Sequence, residues 1–277
     1  MVVVENFYRS IDLATIDLKG GRALGTEKVQ DAGNKENVLG TVVLRDGITS
    51  IEDEQFKGCK ELEKIILPKS LTSIGKNAFS DCESLKEIIL PEGVLSISDG
   101  TFFSCTSLEK IILPAYLSSI GAGAFCNCRS LTEIELPKKI STIGDYAFSH
   151  CKKLEKIILP SFLTSLGDYA FSNCKRLEKV ILPAALTSVS DYDFFYCARL
   201  ETVIFSDSLT TIGEGAFKDC KSLEKIYFPE SLTTIGEGAF MGCTALKEIF
   251  YYEKSEEVLK KYFGGKFHGL KKTVIYD

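Results

Sequence analysis

The stretch Cys151-Lys-Lys-Leu-Glu-Lys-Ile-Ile-Leu-Pro-Ser-Phe-Leu-Thr-Ser-Leu-Gly-Asp-Tyr-Ala-Phe-Ser-Asn173 is a unit of 23 residues that recurs along most of the chain. A fixed internal period of this length is typical of a repeat array, in which each unit buries its apolar side by stacking on its neighbours. The chain has 277 residues, enough for two ordinary domains, but the period predicts one elongated domain with a continuous core.

Each unit starts with a short apolar alternation that predicts a strand. In the unit above, Ile157 and Leu159 alternate with Lys156 and Ile158, so one face of the strand should be buried. Proline then ends the strand in most units, because it has no N–H to donate to a ladder. Frames of this kind start at residues 39, 62, 85, 108, 131, 154, 177, 200, 223 and 246, which predicts ten rungs.

The second half of each unit predicts a reversal and a turn. An apolar pair, such as Leu163 and Leu166, turns the chain back, and a glycine then begins a short helical turn. Glycine at a fixed place indicates either a positive φ or a close backbone approach, although Ser98 and Ser190 replace it in two units. The turn carries a phenylalanine, which predicts a buried aromatic spine. Its members are Phe56, Phe79, Phe102, Phe125, Phe148, Phe171, Phe194, Phe217 and Phe240.

The cysteines follow the same period. Nine of the ten stand at intervals of 23, namely Cys59, Cys82, Cys105, Cys128, Cys151, Cys174, Cys197, Cys220 and Cys243. Such spacing in a long chain predicts one small buried thiol per unit rather than a disulfide framework. Cys126 stands outside the register and is the thiol that we expect to be accessible.

The motif Cys-x-x-Leu-x-x-Ile-x-Leu-Pro-x-x-Leu-x-x-Ile-Gly-x-x-Ala-Phe resembles the leucine-rich repeats of the BspA-like, Treponema-type class, found in bacterial proteins and some protists. The resemblance implies an α/β repeat: a right-handed leucine-rich-repeat solenoid with a parallel β-sheet on the concave face and short helical or 3₁₀ turns on the convex face. Family members are often surface-exposed or secreted proteins of adhesion or host contact, but this chain shows no signal peptide and its localisation stays open.

Three regions are predicted within a single structural domain. Residues 1–37 do not fit the period and are predicted to cap the first rung, with a local pattern that allows either helix or strand. Residues 38–252 are the repeats, and residues 253–277 are the C-terminal cap. The resemblance implies a short helix and a closing strand, Thr273–Tyr276, in that cap. The family often has tryptophan where Val258 stands, so the cap packs differently here.

The strand alternation leaves two slots on the open face of the sheet. The first slot is a mixed-charge ladder that a solvated face explains. The second slot is apolar nearly throughout: Val43, Ile66, Ile89, Ile112, Glu135, Ile158, Ile181, Ile204, Tyr227 and Phe250. One interpretation is that isoleucine is there only because it stabilises a pleated sheet surface. The other is that a contiguous exposed apolar stripe marks a partner site, and both interpretations stay open. Tyr116 and Phe162 add aromatic area beside the stripe.

These residues support a hypothesis about function. We predict a non-catalytic protein-binding or scaffold protein that holds a protein partner or a second copy on its concave face. The predicted contact residues are Ile89, Ile112, Tyr116, Glu135, Ile158, Phe162, Ile181, Ile204 and Tyr227. The alternative is a carrier of a small apolar ligand in a groove between the sheet and a cap.

The convex turns carry a second ladder of paired residues. Its members are Asp145-Tyr146, Asp168-Tyr169 and Asp191-Tyr192. Aspartates at the first turn of a helix accept bonds from free N–H groups, which predicts a structural role for them. The three neighbouring tyrosines either cover the edge of the turn or form a weaker binding surface.

Charge and composition exclude several classes of partner. The formal net charge of -5 provides no general attraction for nucleic acid or anionic lipid. No stretch approaches the roughly 20 apolar residues of a membrane span, so a soluble chain is predicted.

An enzyme is not predicted, because the pattern lacks the titratable residues that would do catalytic work. The chain has two histidines, His150 and His268, and no phosphate-binding glycine motif, so neither a catalytic triad nor a cofactor is predicted. A zinc site could be drawn from His150 with Cys126, Cys128 and Cys151, but two of these thiols belong to the buried series and no metal is predicted. Asp193 replaces the usual alanine of the turn, where a partly exposed, hydrogen-bonded carboxylate is the simpler expectation than a buried one with a raised pKa.

Overall fold

The computed structural model describes residues 14–16, 40–263 and 270–275. Its strands are β1 (Ala14–Ile16), β2 (Thr41–Leu44), β3 (Ser50–Ile51), β4 (Lys64–Ile66), β5 (Ser73–Ile74), β6 (Glu87–Ile89), β7 (Ser96–Ile97), β8 (Lys110–Ile112), β9 (Ser119–Ile120), β10 (Glu133–Ile134), β11 (Thr142–Ile143), β12 (Lys156–Ile157), β13 (Ser165–Leu166), β14 (Lys179–Ile181), β15 (Ser188–Val189), β16 (Thr202–Ile204), β17 (Thr211–Ile212), β18 (Lys225–Tyr227), β19 (Thr234–Ile235), β20 (Glu248–Tyr252) and β21 (Lys271–Ile275). A 3₁₀ turn (Glu253–Ser255) and the helix α1 (Glu256–Phe263) lie between β20 and β21.

The strands form two parallel ladders, which make the chain a β-solenoid and confirm the predicted fold class. The even-numbered strands, with β1 and β21 at the two ends, build the sheet face, in segments β1-β2-β4-β6-β8, β10-β12-β14-β16 and β18-β20-β21. Each residue pairs with the residue one repeat further along, as Val180 does with Val203. Of the predicted N-terminal cap, β1 is described and is parallel to β2. The rest of that cap lies outside the described residues.

The odd-numbered strands β3 to β19 form a second ladder, of two residues each, that the sequence predicts as a simple reversal. In β13, Ser165 is exposed and Leu166 is buried. The same two slots pair in parallel with the preceding repeat, Thr142 with Ser165 and Ile143 with Leu166. The apolar pair therefore adds a second set of inter-repeat hydrogen bonds as well as turning the chain.

The core contains the predicted aromatic spine. From Phe56 to Phe240, consecutive rings stack with centroids 5.2 to 5.5 Å apart and planes within 11° of parallel. Burial of a whole phenylalanine side chain is worth about 3–5 kcal/mol against alanine. Each member from Phe56 to Phe217 is fully buried, so the spine is a major source of stability.

The periodic cysteines fill the slot behind the spine. The Sγ of Cys151, for example, donates to the carbonyl oxygen of Phe125, 26 residues earlier, at 3.2 Å. Seven of the nine are buried, and the two half-buried ones are Cys59 and Cys243, at the ends of the array. All ten cysteines are free thiols. The buried slot predicted from the spacing is confirmed at those seven positions.

The corner glycines owe their place to close packing. A Cβ built on Gly167 would lie 2.4 Å from the backbone nitrogen of Asp145 in the preceding rung, and one on Gly121 would lie 2.7 Å from that of Asp99. None of the six corner glycines has a positive φ. Of the two explanations that the sequence leaves open, a close backbone approach is therefore the correct one.

The convex turns, which we call the turn face, are closed by 3₁₀-type bonds between residues three apart. Ala147 donates to the carbonyl of Gly144 at 3.2 Å, whereas the next residue, Phe148, donates to Ala170 of the following rung at 2.7 Å. This alternation requires a left-handed residue at two slots of every turn. Tyr146, with φ of 56°, occupies the first slot and His150, with φ of 61°, the second.

The C-terminal end of the array is covered by α1 and β21. Strand β21 pairs in parallel with β20 over five residues. The hydroxyl of Tyr262 in α1 accepts a hydrogen bond from the backbone N–H of Phe240 at 2.8 Å, which satisfies a donor at the end of the spine. Part of the predicted closing strand, Tyr276, lies outside the described residues. The boundaries of the three predicted regions stay a prediction.

Candidate interaction surfaces

The open face of the even-numbered strands carries an exposed apolar stripe, which we call the sheet-face stripe. Ile158 is 84% exposed, and Ile89, Ile112, Ile181 and Ile204 are exposed as well. Ile89 pairs directly with Ile112, and Ile181 pairs with Ile204, so their side chains lie side by side on adjacent strands. The structure thus places the second slot on the outside of the sheet, as the alternation predicts.

The centre of the stripe is irregular. Strands β10 and β12 are two residues long, so Glu135 and Ile158 follow the end of their strands rather than lying within them. Tyr116, 65% exposed, and Phe162, 59% exposed, belong to the loops beside this point. The Nζ of Lys139 lies 5.7 Å from the centroid of the Phe162 ring, which places a cation against the aromatic area.

The ends of the stripe are better covered than its middle. Tyr227 is exposed, but its ring stacks on that of Phe250 with centroids 4.2 Å apart. Val43, Ile66 and Phe250 are half-buried. The predicted contact residues therefore share one face, and those most open to solvent lie in its middle.

The first outward slot, beside the stripe, carries charged residues that form ion pairs near its two ends. Lys64 pairs with Glu87 at 2.5 Å and Lys225 pairs with Glu248 at 3.1 Å. Hydrogen bonds from Lys271 and Lys225 lower the pKa of Glu248. Exposed pairs contribute little to stability, and although Glu248 is buried the other charged residues of this slot mainly form a polar border along the apolar stripe.

A groove of about 790 Å³ opens where β16 and β18 are not joined by ladder bonds. Its lining includes Ile204 and Tyr227 from the stripe and four charged side chains, Glu201, Lys221, Glu224 and Lys225. The lining contains no residue of α1 or β21, so the groove is not formed between the sheet and the C-terminal cap, and it is open to solvent on one side.

The turn face carries an aromatic band that the sequence predicts in part. The rings of Tyr146, Tyr169 and Tyr192 stack with centroids 4.8 and 4.9 Å apart. Phe195 meets Tyr192 edge-on at 6.0 Å, and Tyr196 lies 5.9 Å beyond Phe195. Sequence reasoning missed Phe195 and Tyr196. Their slots hold serine, lysine, aspartate, asparagine or glycine in most other repeats, and that departure is the signal that could have found them.

Four tyrosines of this band stand in the left-handed region, which bulky residues rarely adopt. Tyr146, Tyr169, Tyr192 and Tyr196 have φ between 55° and 59°. The first slot is glycine in four other repeats: Gly100, Gly123, Gly215 and Gly238. A left-handed non-glycine residue costs about 1–2 kcal/mol, whereas a stacked aromatic pair contributes about 0.5–1.5 kcal/mol. The two stacked pairs therefore offset only part of the strain of three tyrosines in the first slot.

Acidic residues run along one side of the band. The Oδ1 of Asp145 accepts a bond from the N–H of Asp168 at 3.0 Å, and Asp191 accepts one from Glu214 at 2.7 Å. The predicted capping role is therefore right in kind, but the donor belongs to the following rung. Glu214 also accepts from the hydroxyl of Tyr192, and this bond raises the Tyr192 pKa to about 12.

Basic residues run along the other side of the band. The Nζ of Lys175 lies 4.8 Å and that of Lys221 lies 5.6 Å from the centroid of the Tyr196 ring. Desolvation first, and then Lys152, Arg129 and Lys175, lower the pKa of His150. The turn face thus has an acidic row, an aromatic band and a basic row, in that order across the turn.

Asp193 is a structural carboxyl rather than a binding residue. It is fully buried, so the expectation of partial exposure is wrong. Its Oδ1 accepts from the N–H of Ala170 and its Oδ2 from the N–H of Ser190, each at 3.1 Å. Burial raises the Asp193 pKa well above its usual value, although the two N–H donors oppose the shift.

Reactive chemistry is sparse in the described part of the chain. Cys126 is half-buried, and burial raises its pKa although Ser149 donates to it; the Ser149 hydroxyl also lies 2.9 Å from Nδ1 of His150. Among residues 40–263 and 270–275, no group of three side chains is arranged to hold a metal ion. Nowhere in the same ranges is a helix long and apolar enough for a membrane crossing.

The parallel rungs of 23 residues, with their stacked phenylalanine spine and open sheet face, define a leucine-rich repeat solenoid. A family model for the BspA type leucine rich repeat region matches residues 34–155 and 141–271, in six copies. The chain therefore belongs to the BspA-type leucine-rich repeat family. Leucine-rich repeat proteins are typically non-enzymatic binding proteins, and membership is consistent with a protein-binding or scaffold role.

Solved bacterial structures resemble the chain over most of its length. A leucine-rich cell surface protein from Faecalibacterium prausnitzii is 22% identical, with 86% of this chain and 79% of that chain covered and a TM-score of 0.48. A leucine-rich repeat protein of Treponema pallidum is 24% identical, with 85% and 87% covered and a TM-score of 0.43. No curated protein is significantly similar to the chain.

Proposed function

We propose that this chain is a protein-binding or scaffold protein whose partner docks on the sheet-face stripe. The observation that carries the proposal is the exposure of Ile158, with Tyr116 and Phe162 beside it. Soluble proteins rarely leave a contiguous apolar surface open unless something binds there, and aromatic residues concentrate binding energy. The face is long and open rather than enclosed, which suits a protein surface better than a small molecule.

The polar border supports the same proposal. Interfaces combine an apolar centre with a polar rim, and the charged residues of the first outward slot, among them Lys64 and Glu87, supply such a rim. Glu135 interrupts the apolar stripe at its centre and is exposed, so it sets the register of the partner. The partner is a protein of a host or another cell, as the family resemblance implies, or a second copy of the chain.

The test is to place charge in the middle of the stripe. Ile158→Lys combined with Ile181→Lys should abolish binding, because two lysines would have to be desolvated against an apolar partner surface. Leu95→Lys is the matched control, since Leu95 is also exposed but lies beside the odd-numbered ladder. Captured proteins from cell extract are quantified by mass spectrometry, and oligomeric state is measured by light scattering. Equal capture and equal mass for all three proteins would overturn the proposal.

The groove at Ile204 and Tyr227 favours a second candidate function, the binding of a small apolar ligand. Four charged side chains in its lining and its opening to solvent make it a weaker site than an enclosed apolar cavity. Native mass spectrometry of the purified protein checks this candidate. An additional mass that disappears on delipidation supports it, and a mass equal to that of the chain alone counts against it.

A further inference from the structure

A second surface, on the turn face, is built in a way that the fold does not require; its basic row includes Lys221, which also lines the groove at Ile204 and Tyr227. Four tyrosines are held there at positive φ, in slots that glycine fills elsewhere in the same chain. Tyr146, at one end of the stack, is exposed, and a Cβ on the adjacent Gly123 would meet no tyrosine within 4 Å. The outer face of the Tyr146 ring is therefore open.

The two charged rows on either side of this aromatic band match each other rung by rung. In four successive turns an acidic residue precedes the first left-handed slot, and a basic residue stands one position after the periodic cysteine in three of them and two positions after it in the turn of Cys197. The four pairs are Asp145 with Lys152, Asp168 with Lys175, Asp191 with Arg199, and Glu214 with Lys221. Of the earlier turns, the first also has both charges, Asp53 and Lys60, whereas the next three lack one or both, with Lys76 and Ala122 in the acidic slot and Thr106 in the basic slot.

Some charged side chains elsewhere in the array form ion pairs within the chain, whereas the acidic row makes hydrogen bonds to backbone N–H groups and to the Tyr192 hydroxyl. Lys60 pairs with Glu83 at 2.7 Å and Lys76 pairs with Asp99 at 2.9 Å, both between neighbouring rungs. In the part of the chain that the structure describes, none of the eight residues of the two matched rows forms an ion pair. The rows are kept apart by the aromatic band, so they cannot neutralise each other within one molecule.

We infer that the turn face around Tyr146, Tyr169 and Tyr192 is a self-association surface, and that its partner is a second copy of this chain. A two-fold axis parallel to the length of the solenoid brings the acidic row of one copy onto the basic row of the other, with the aromatic bands in contact. A two-fold axis across the solenoid would oppose like charges and is excluded by repulsion. The charge pattern therefore selects a side-by-side dimer with parallel solenoids.

This arrangement makes Glu214 the neighbour of Lys221 in the other copy, twice in each dimer. Lys221→Glu leaves two acidic rows at this rung, and Glu214→Lys leaves two basic rows, so each variant alone should be monomeric. In an equal mixture the two variants are complementary at both contacts, and a heterodimer should form. Glu214 and Lys221 are exposed, so neither change alters the core.

The full chain is studied by sedimentation velocity over a concentration range from about 1 to 300 µM, chosen to bracket typical micromolar affinities. The wild type should shift from monomer to dimer, and each single variant should dimerise at least tenfold more weakly. The mixture should restore dimer, detected with one variant fluorescently labelled. A monomeric wild type across the range, or a mixture no more associated than its components, overturns the inference.

A triple variant, Tyr146→Gly, Tyr169→Gly and Tyr192→Gly, tests the aromatic band. Glycine is native to this slot in four turns, and circular dichroism checks that the variant folds; it should be monomeric. Undiminished dimer in the folded triple variant would overturn the inference. The sheet-face variant with Ile158→Lys and Ile181→Lys should dimerise like the wild type, so this surface and the proposed partner site fail or succeed separately.

Discussion

The carboxylate of Asp193 accepts a hydrogen bond from the backbone N–H of Ser190, with Oδ2 and N 3.1 Å apart. Ser190 stands where six other repeats have glycine, whose N–H donates to the preceding rung, as that of Gly167 does to Ile143 at 2.9 Å. The Ser190 hydroxyl donates instead to the carbonyl of Leu166. The displaced N–H then needs an acceptor, and Asp193 provides it.

A side chain three residues after the corner also bonds the corner backbone in the two other repeats that lack the glycine. Gln55 accepts from the N–H of Glu52 at 2.8 Å, as Asp193 does from Ser190, whereas Thr101 donates to the carbonyl of Ser98 at 2.8 Å. Each of the six repeats with a corner glycine has alanine three residues later. The corner and turn residues are therefore chosen together, because a side chain at the corner changes which backbone groups need a partner.

This coupling predicts non-additive effects of mutation. Asp193→Ala alone should destabilise the protein by about 1–3 kcal/mol, because it leaves the N–H groups of Ala170 and Ser190 without their acceptor. Adding Ser190→Gly restores the glycine–alanine pair of the other repeats and should recover most of that loss. The four proteins of the cycle are compared by urea unfolding. Additive free energies would show that the two positions are independent.

Asp193 also predicts a pH dependence of stability. Its carboxyl has an ordinary pKa of about 3.8 when unfolded, and burial raises the pKa in the folded protein. A raised folded pKa means that its contribution is fully present below the unfolded value and is lost as pH rises through the folded value. Relative to Asp193→Asn, which does not titrate, the wild type should therefore become progressively less stable as pH rises above about 4. Melting temperatures at several pH values check this, and a constant difference would contradict it.

The sequence predicts the solenoid because every rung repeats the same burial pattern. The strand alternation puts Ile158 outside and Ile157 inside, and the structure has both as predicted. Periodicity cannot predict what depends on the neighbouring rung. The burial of Asp193, the contact of Tyr196 with two lysines and the close approach at Gly167 each require the position of a second repeat.

The left-handed slot of the turn could not be predicted from a single repeat for a related reason. Glycine, asparagine and aspartate mark positive φ in a sequence, but in the central rungs Tyr146, Tyr169 and Tyr192 occupy the slot, and tyrosine is not a residue that indicates this conformation. Alignment of the nine turns against each other reveals it, since four glycines share the slot. The sheet-face stripe could be predicted residue by residue from the strand alternation. The identity of its partner could not, because the repeat spacing contains no information about it.

Tyr169 provides a test of the backbone strain at this slot. Its φ of 57° favours glycine over alanine, so Tyr169→Gly should be more stable than Tyr169→Ala by about 1 kcal/mol. Both variants lose the same two ring contacts, which makes alanine the matched control for glycine. The order is the reverse of that expected in a helix or strand interior. Thermal unfolding followed by circular dichroism measures the difference. Equal stability of the alanine and glycine variants would show that the backbone at this slot is not strained by a side chain.

Thiol reactivity separates Cys126 from the periodic cysteines. Cys126 is half-buried, whereas Cys151 is fully buried, bonded to the carbonyl of Phe125 and shifted by burial to a high pKa. Because the thiolate is the reacting species and access is also needed, an alkylating reagent should modify Cys126 in the folded protein and leave Cys151 unmodified. Peptide mapping by mass spectrometry after brief labelling gives the site, with Cys126→Ser as the control. In urea all ten thiols should react, and equal labelling of Cys151 in the folded protein would show that the cysteine slot opens in the native state.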